Sequence, residues 1–262
     1  MNYAIETTDL KRVFGDFIAV DNLNLAVETG KFFGFLGPNG AGKSTTIKML
    51  SGLLKITSGK ASVLGFDIEK QPVEAKKRMG VVPEELILFD RLTGAEYLTF
   101  VGRMYGMQKN VVKERTEELL ELMALQDDRK KLIVDYSHGM KKKLTLSAAL
   151  IHDPQVLFLD EPFEGIDAIA SKMIKDILKT LIERRVTIFL TSHVLEIVER
   201  LCSDVAIIHK AKLIAHGTRA ELQSGITLKD HIDSARTMTL EEIFISLVGA
   251  DEMQKRTLSW LE

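Results

Sequence analysis

A glycine-rich segment carries the most specific chemistry in the sequence. It reads, residue by residue, Gly37, Pro38, Asn39, Gly40, Ala41, Gly42, Lys43, Ser44 and Thr45. The stretch from Gly37 to Ser44 matches the phosphate-binding pattern G-x-x-x-x-G-K-[ST]. Glycines let successive backbone N–H groups point into one concavity, where the dipole of a following helix favours an anion. Lys43 can then reach the β- and γ-phosphates and Ser44 can ligate Mg²⁺, so this P-loop predicts a nucleotide site.

Two acids close a hydrophobic segment later in the chain. Residues 156–159 read VLFL, and Asp160 and Glu161 follow them. Ligands of α/β sheets bind at the carboxyl ends of the strands, so both carboxylates are expected near the phosphates. Asp160 would hold Mg²⁺, directly or through water, and Glu161 would polarise the water that attacks the γ-phosphate. An acidic turn after a core strand is the plainer alternative, but a P-loop requires a magnesium-binding partner of this kind.

A histidine follows another predicted core strand. Residues 186–190 read VTIFL, and His193 comes after Thr191 and Ser192. At the end of a parallel strand the imidazole of His193 would be able to donate to an oxygen of the γ-phosphate. Taken alone, a histidine in this position is more often a neighbour of a helix cap.

The elements that must position these residues alternate between strand and helix. Strands are predicted over residues 31–36, 155–159, 186–190 and 205–208, and a helix over residues 44–50, ended by Gly52. The P-loop therefore lies between a strand and a helix, where its mechanism requires it. This alternation is typical of an α/β fold with a mostly parallel sheet.

The segments around this alternating core differ in character. Residues 4–27 alternate apolar and polar positions, which predicts a separate antiparallel β layer. Residues 92–150 have helical periodicity, clearest over 111–125, and predict a mostly helical insert. From about residue 219 the strand pattern fades into polar and helical stretches, of which 239–247 is the most periodic.

The composition excludes several classes of function. The 262 residues include 35 Lys plus Arg and 37 Asp plus Glu, so no dedicated basic surface for nucleic acid is expected. The one cysteine, Cys202, cannot form an intramolecular disulfide, which favours a reducing cytosol. No apolar run approaches the roughly 18 residues of a membrane span, so any action on a membrane would go through a partner. His138 and His216 lack metal-ligand spacing, and no zinc is predicted.

A third motif, together with the P-loop and the acidic strand, indicates a resemblance to a known family. Residues 136–140 read YSHGM, about twenty residues before the acidic strand. With GPNGAGKST and VLFLDEP, this segment makes the chain resemble the ATP-binding subunits of ATP-binding cassette (ABC) transporters, whose signature is usually written LSGGQ. YSHGM departs from it at three of five positions, but Ser137 and Gly139 are retained. The resemblance implies that these two contact the γ-phosphate of the nucleotide on the opposite subunit, and YSHGM before basic residues is similar to ABC-2 type exporter ATPases.

Three further positions are carried over from the resemblance. Phe14 is similar to the aromatic residue that stacks on adenine. Phe17 is the alternative candidate for this role, and the plainer interpretation is that Phe14 is a core residue of the β layer. Glu84 stands where the family normally has a glutamine that senses Mg²⁺ and the attacking water. A carboxylate can also bind magnesium, but its charge would change that switch. Asp167 lies in a segment, residues 164–167, that resembles the loop linking the two active sites of the dimer.

The resemblance also implies an architecture. It predicts a P-loop NTPase with a RecA-like core, an N-terminal antiparallel β layer and a helical subdomain. We expect a nucleotide-binding domain over residues 1–218, with the helical insert at about 84–150, and a mostly helical C-terminal extension over 219–262.

The implied partners follow the same resemblance. Each ATP, with Mg²⁺, would be sandwiched between the P-loop of one chain and the signature of a second ATP-binding subunit, identical or different. The helical insert and residues 84–92 would dock on a separate transmembrane permease subunit. The chain would therefore be cytoplasmic and peripheral to the membrane, and the permease would select the substrate.

Two other classes of protein share parts of this pattern. Soluble ABC ATPases of DNA repair or of the ribosome have either long coiled-coil insertions or two fused cassettes. This chain has one cassette and no sustained heptads. A P-loop kinase would also use Lys43, Ser44 and Asp160. It would give no reason for Glu161, His193 and the signature residues to occur together, and transfer of phosphate to an acceptor other than water would identify it.

Overall fold

The strands and helices alternate along the chain in the way the sequence predicts. The computed structural model describes residues 3–230 and 238–249. The strands are β1 (Tyr3–Phe14), β2 (Phe17–Glu28), β3 (Phe32–Leu36), β4 (Ser58–Val63), β5 (Phe66–Asp67), β6 (Met79–Val82), β7 (Val156–Asp160), β8 (Thr187–Ser192), β9 (Asp204–His209) and β10 (Lys212–Gly217). The helices are α1 (Lys43–Leu50), α2 (Pro72–Lys76), α3 (Gly94–Met104), α4 (Lys109–Leu122), α5 (His138–Leu150), α6 (Ala168–Glu183), α7 (Leu195–Leu201), α8 (Arg219–Asp230) and α9 (Leu240–Val248).

The strands form two sheets. The larger one has the order β10-β9-β3-β8-β7-β6, and all its neighbours are parallel except β10, which pairs with β9 in the antiparallel sense. The smaller sheet, β2-β1-β4-β5, is antiparallel throughout. The predicted α/β fold with a mostly parallel sheet and a separate β layer is confirmed. The layer also recruits β4 and β5, from residues beyond the P-loop.

The central strands are buried on both faces, which explains their continuous hydrophobic sequence. In β3, Phe33 and Phe35 pack toward the β layer and α1, whereas Phe32 and Leu36 pack toward the helical insert and α6. Strand β7 repeats this alternation. The larger sheet is therefore the common wall of two hydrophobic cores.

The helical insert contains α3, α4 and α5. Helix α4 ends at Leu122, earlier than the predicted residue 125, because Ala124 has a left-handed backbone with φ of 51°. Strand β8 continues through Ser192, beyond the predicted residue 190. The extension matters because it carries Thr191 and Ser192 to the edge where β3 ends and the P-loop begins.

Two strands of the larger sheet were not predicted from the sequence. Strand β6 has only four residues, and β10 reads KLIAHG with exposed and half-buried positions alternating at the sheet edge. Both lack the long apolar run that identifies a core strand. The edge position of β10 explains why its sequence is partly polar.

The C-terminal region is helical where it is described. Helix α9 covers most of the stretch that has the clearest helical periodicity, residues 239–247, and it begins with a capping box formed by Thr239 and Glu242. The remainder of the expected extension, residues 231–237 and 250–262, lies outside the described residues. Among the residues that are described, no helix is long and apolar enough to cross a bilayer.

One aromatic side chain joins three others in the wall between β7, β8 and β3. The ring of Phe189 lies 5.3–5.7 Å from the rings of Phe33, Phe35 and Phe158, and Phe189 is fully buried. We expect Phe189→Ala to lower the free energy of unfolding by roughly 3–5 kcal/mol, because it removes packing and leaves a cavity. Chemical denaturation measures this. The exposed Val73→Ala serves as the control and should change the stability by less than about 0.5 kcal/mol.

Candidate nucleotide-binding and catalytic site

A cleft of about 370 Å³ lies where the carboxyl ends of the parallel strands meet. Its walls come from β2, the P-loop, α1 and the segments that follow β6, β7 and β8. The lining residues are Phe17, Ala19, Asn39, Gly40, Gly42, Lys43, Ser44, Thr45, Glu84, Glu161, Glu164 and His193. The structure thus brings together residues that the sequence separates by more than 150 positions.

The P-loop glycines have conformations and contacts that side chains would not allow. Gly40 and Gly42 have φ of 79° and 111°, in the left-handed region. A Cβ at Gly42 would lie 2.4 Å from the carbonyl oxygen of Ala19, and a Cβ at Gly37 would lie 2.4 Å from that of Ile208. The turn is closed by a hydrogen bond from Ala41 N to Pro38 O, 3.1 Å long. The loop therefore adopts the concave shape that its phosphate-binding pattern requires.

The ammonium group of Lys43 is buried at the entrance to helix α1. Its Nζ donates to Gly37 O at 2.9 Å and to Pro38 O at 3.3 Å, and it lies 3.9 Å from Glu161 Oε1. These partners leave the charge close to the concavity of the loop. Negatively charged phosphate oxygens would be stronger partners for this ammonium than the neutral carbonyls.

Three oxygen-bearing side chains meet beside Lys43. Ser44 Oγ lies 3.2 Å from Asp160 Oδ1 and 3.2 Å from Glu84 Oε2, and its single hydrogen can be donated to either carboxylate. Burial raises the pKa of Asp160, and hydrogen bonds from Thr191 and Ser44 oppose that rise. Carboxylate and hydroxyl oxygens are the hard donors that Mg²⁺ prefers. The residues predicted to hold magnesium therefore fit the ion in chemistry and in mutual distance.

The side chains of Glu161 and His193 meet at the cleft. His193 Nδ1 lies 3.0 Å from Glu161 Oε2, and the backbone N–H of His193 donates to the same oxygen at 3.4 Å. The other carboxylate oxygen, Oε1, is buried and accepts no hydrogen bond from the described part of the chain. A buried acceptor without a donor is costly. Glu161 Oε1 is thus available to accept a hydrogen bond from a small polar molecule in the cleft.

Thr191 joins the two acids through hydrogen bonds. Its hydroxyl donates to Asp160 Oδ1 at 2.5 Å, and its Oγ1 lies 3.3 Å from the backbone nitrogen of Glu161, which donates to it. The amide of Glu161 also donates to Thr191 O at 3.2 Å. Sequence reasoning assigned no role to Thr191, because a threonine at a strand end carries no specific pattern.

Lys142 is a second residue that sequence reasoning left without a role. It lies in a run of three lysines, residues 141–143, and a charge run of this kind is typical of a solvated helix face. In the structure Lys142 is only 2% exposed, and its Nζ donates to Glu161 O at 2.5 Å. Burial lowers the pKa of Lys142, and the carboxylates of Glu164, Glu161 and Asp160 oppose the shift. Its neighbours in the run, Lys141 and Lys143, are half-buried.

The two candidate aromatic residues occupy different places on the β1–β2 hairpin. The ring of Phe17 is 63% exposed and lines the cleft. The ring of Phe14 does not line it and lies instead under the guanidinium of Arg12, whose Cζ is 4.3 Å from the ring centroid. The geometry favours Phe17, the alternative, over Phe14 for contact with a base. A stacking role stays a prediction for both.

Ser137, Gly139 and Asp167 do not line the cleft of their own chain. Ser137 is exposed and caps α5 by accepting a hydrogen bond from Met140 N at 3.2 Å, and Gly139 lies in the first turn of this helix. Asp167 caps α6 by accepting from Ala170 N at 2.8 Å, and this bond lowers its pKa. The expected contact of Ser137 and Gly139 with a second subunit therefore stays a prediction.

Comparison with known proteins identifies similar chains. Residues 20–164 match the sequence model of a family described as ABC transporter. The linearmycin resistance ATP-binding protein LnrL of Bacillus subtilis is 40% identical over 220 residues, which cover 84% of this chain and 71% of the relative. The bacitracin transport ATP-binding protein BcrA of Bacillus licheniformis is 41% identical over 215 residues, covering 82% and 69%. A solved ATP binding subunit of an ABC transporter has a TM-score of 0.85 at 27% identity and covers 93% of this chain and 99% of its own.

The positions of the two rings generate a test of nucleotide binding. We expect Phe17→Ala to weaken binding of a fluorescent ATP analogue by roughly 1–3 kcal/mol, because stacking of a base on an aromatic ring contributes about that much. Phe14→Ala is the matched control from the other strand of the same hairpin, and its affinity should stay within about twofold of the parent. A larger loss in Phe14→Ala than in Phe17→Ala would return the base-stacking role to Phe14.

Proposed function

The chain belongs to the ABC transporter family as an ATP-binding and ATP-hydrolysing subunit, and from this premise we propose that its cleft uses Mg²⁺ and Glu161 to hydrolyse ATP and so drive a separate permease. The single observation that carries the catalytic assignment is the placement of Glu161. Its buried carboxylate lies between Lys43 and His193: one oxygen is 3.0 Å from the imidazole, and the other is 3.9 Å from the Lys43 ammonium and accepts no hydrogen bond from the described part of the chain.

Each reacting group has a separate role in the proposed reaction. Lys43 and the backbone N–H groups of the P-loop hold the β- and γ-phosphates. Glu161 Oε1 orients a water molecule and accepts its proton while the water oxygen bonds to the γ-phosphorus and the bond to the bridging oxygen of ADP breaks. His193 keeps its Nδ1 on Glu161 Oε2, which leaves Nε2 for an oxygen of the γ-phosphate. The products are ADP and inorganic phosphate.

Magnesium would be held by Ser44 and Asp160, with Glu84 as a third oxygen donor. When bound, the ion neutralises charge on the phosphates. Because Glu84 is a carboxylate where the family normally has an amide, it brings an additional negative charge to this edge of the cleft. Its proposed role is to bind the ion more strongly than an amide would. The consequence is a more negatively charged site beside the phosphates.

Assembly into a dimer is the second part of the proposal. Ser137 and Gly139 lie outside the cleft of their own chain, at the exposed start of α5. In a head-to-tail pair they would complete the γ-phosphate site of the other subunit, as the family resemblance implies. ATP would then hold two subunits together, and hydrolysis would separate them. The second subunit is an identical chain or a different one.

Replacement of the catalytic acid tests the site and the assembly together. We expect Glu161→Gln to bind ATP with parental affinity and to lower kcat by roughly a hundredfold to ten-thousandfold, because the neutral amide cannot accept the proton. Sedimentation of this variant with Mg-ATP should show a dimer that is absent without ATP. The exposed Glu69→Gln is the control and should keep the parental rate. Parental turnover in Glu161→Gln would remove Glu161 from its role.

An apolar surface on the helical insert supports the proposed contact with a permease. We define the docking patch as Ile87, Phe89, Phe100 and Met104. Ile87 is 86% exposed and Met104 72%, and the rings of Phe89 and Phe100 meet edge to face with centroids 5.4 Å apart. Met104 lies four residues after Phe100 on α3, and Ile87 lies two residues before Phe89. Exposed apolar side chains grouped in this way indicate a partner surface. The patch combines the segment after Glu84 with helix α3, so a partner there would contact the neighbourhood of the cleft.

The relatives support an exporter. The names of the two similar Bacillus proteins refer to linearmycin resistance and to bacitracin transport, and that of a third, from Streptomyces peucetius, to daunorubicin and doxorubicin resistance. We therefore propose that the chain powers export of the ABC-2 type. It would do so at the cytoplasmic face of the membrane, held there by the permease, which would select the substrate.

Charge introduced into the docking patch tests the permease contact. We expect the double variant Ile87→Asp/Phe89→Asp to lose at least about tenfold in affinity for membranes that contain the cognate permease, because buried apolar anchors dominate interfaces of this kind. Val73→Asp places the same charge on an apolar residue of α2 that is 60% exposed and lies outside the patch, and this control should bind like the parent. Equal binding by both variants would place the permease contact elsewhere.

A further inference from the structure

The carbonyl of Glu161 receives a hydrogen bond from an unusual donor. Lysine is seldom fully buried unless it is paired, yet Lys142 is 2% exposed and directs its ammonium at this backbone oxygen, 2.5 Å away. The same oxygen accepts a longer bond of 3.3 Å from Glu164 N. The position of Lys142 in the middle of a charged run gives no reason for its burial, so the contact itself is the feature to explain.

The backbone of Glu161 has a conformation that needs support. Its φ is 47°, in the left-handed region that glutamate rarely adopts. On its N-terminal side the amide is fixed to Thr191 of β8. On its C-terminal side the following residue is Pro162, which has no N–H with which to extend the strand. Lys142 supplies the anchor on this second side, so both peptide groups of Glu161 are held by neighbouring elements.

The same helix contacts the far end of the loop that begins at Glu161. His138 precedes Lys142 by four residues and therefore lies on the same face of α5. A Cβ added at Gly165 would lie 2.9 Å from Cδ2 and 3.1 Å from Nε2 of the His138 ring. One face of α5 thus touches the loop at Gly165 and at Glu161. The helix begins at Ser137, which caps its first turn.

We propose that Lys142 is a positioning residue for Glu161: its ammonium holds the left-handed turn that aims the carboxylate into the cleft and ties it to the helix that Ser137 begins. The proposal rests on the proposed function, because it assigns Lys142 an effect on turnover that passes through Glu161. Lys142 does not line the cleft, so its loss should leave nucleotide binding intact. A small displacement of a reacting group is sufficient to lower the rate about a hundredfold.

The primary test compares three variants of the full chain. We expect Lys142→Met, which keeps the apolar stem and removes the donor, to lower kcat by at least tenfold while the Kd for ATP stays within about twofold of the parent. Lys142→Arg keeps a charged donor and should recover most of the rate. Lys143→Met removes the same charge from the next position of α5 and should retain the parental rate. A parental kcat in Lys142→Met, or a matching loss of ATP affinity, would overturn the proposal.

A double-variant cycle separates positioning from general structural support. If Lys142 acts through the carboxylate, Lys142→Met should lower the single-turnover rate in the parent but not further in Glu161→Gln, where that carboxylate is already lost. An independent structural role would give the same loss in both backgrounds and would contradict the proposal. Thermal unfolding of each variant identifies any that is not folded, and in that case Lys142→Leu, which also lacks a donor, replaces Lys142→Met.

The proposed function and this inference fail in different ways. Parental turnover in Glu161→Gln alone would refute the catalytic role of Glu161, and with it the premise of the cycle. A collapse of turnover in Glu161→Gln together with parental turnover in Lys142→Met would keep the catalytic role and refute only the positioning role.

Discussion

The parallel pairing of β7 with β8 is the constraint on which the site depends. In this register Asp160 is paired with Thr191, and the threonine hydroxyl bonds the carboxylate of Asp160 while the amide of Glu161 is fixed to the same residue. The neighbouring strand therefore contributes to the position of both acids. A shift of one residue in this register would turn Thr191 to the other face of the sheet and separate the acids from the P-loop.

The cleft and the residues directly behind it concentrate buried charge in a way that a purely structural core avoids. Lys43, Asp160, Glu161 and Lys142 are all nearly inaccessible to solvent. Unpaired charges in such surroundings are costly, so each of them has a partner of opposite charge or a hydrogen bond. Glu161 Oε1 lies 3.9 Å from the Lys43 ammonium but, although buried, accepts no hydrogen bond from the described part of the chain. Local rules are most often violated at functional sites, and here the violation lies at the atom that accepts a proton in the proposed reaction.

Three segments of the proposed site each lead directly into the first turn of a helix. The P-loop leads into α1, the signature segment into α5 and the loop after Glu161 into α6, where Asp167 is the cap. Helices are stiff on the scale of one or two turns, so contacts at their first residues are transmitted to the side chains one turn further along. Lys142 and His138 show the consequence, because both reach from α5 to the loop that carries Glu161.

The sequence alone determined the chemistry and the class of fold. The spacing of Gly37, Gly42, Lys43 and Ser44 allows one backbone shape, and buried strands such as VLFLD are recognisable because both of their faces require apolar side chains. The tertiary structure decided what depends on contacts between distant segments. It placed Phe17 at the cleft and Phe14 beneath Arg12, and it buried Lys142 where a run of lysines predicts exposure. No local pattern encodes these outcomes, because the burial of a side chain is set by the element that packs against it.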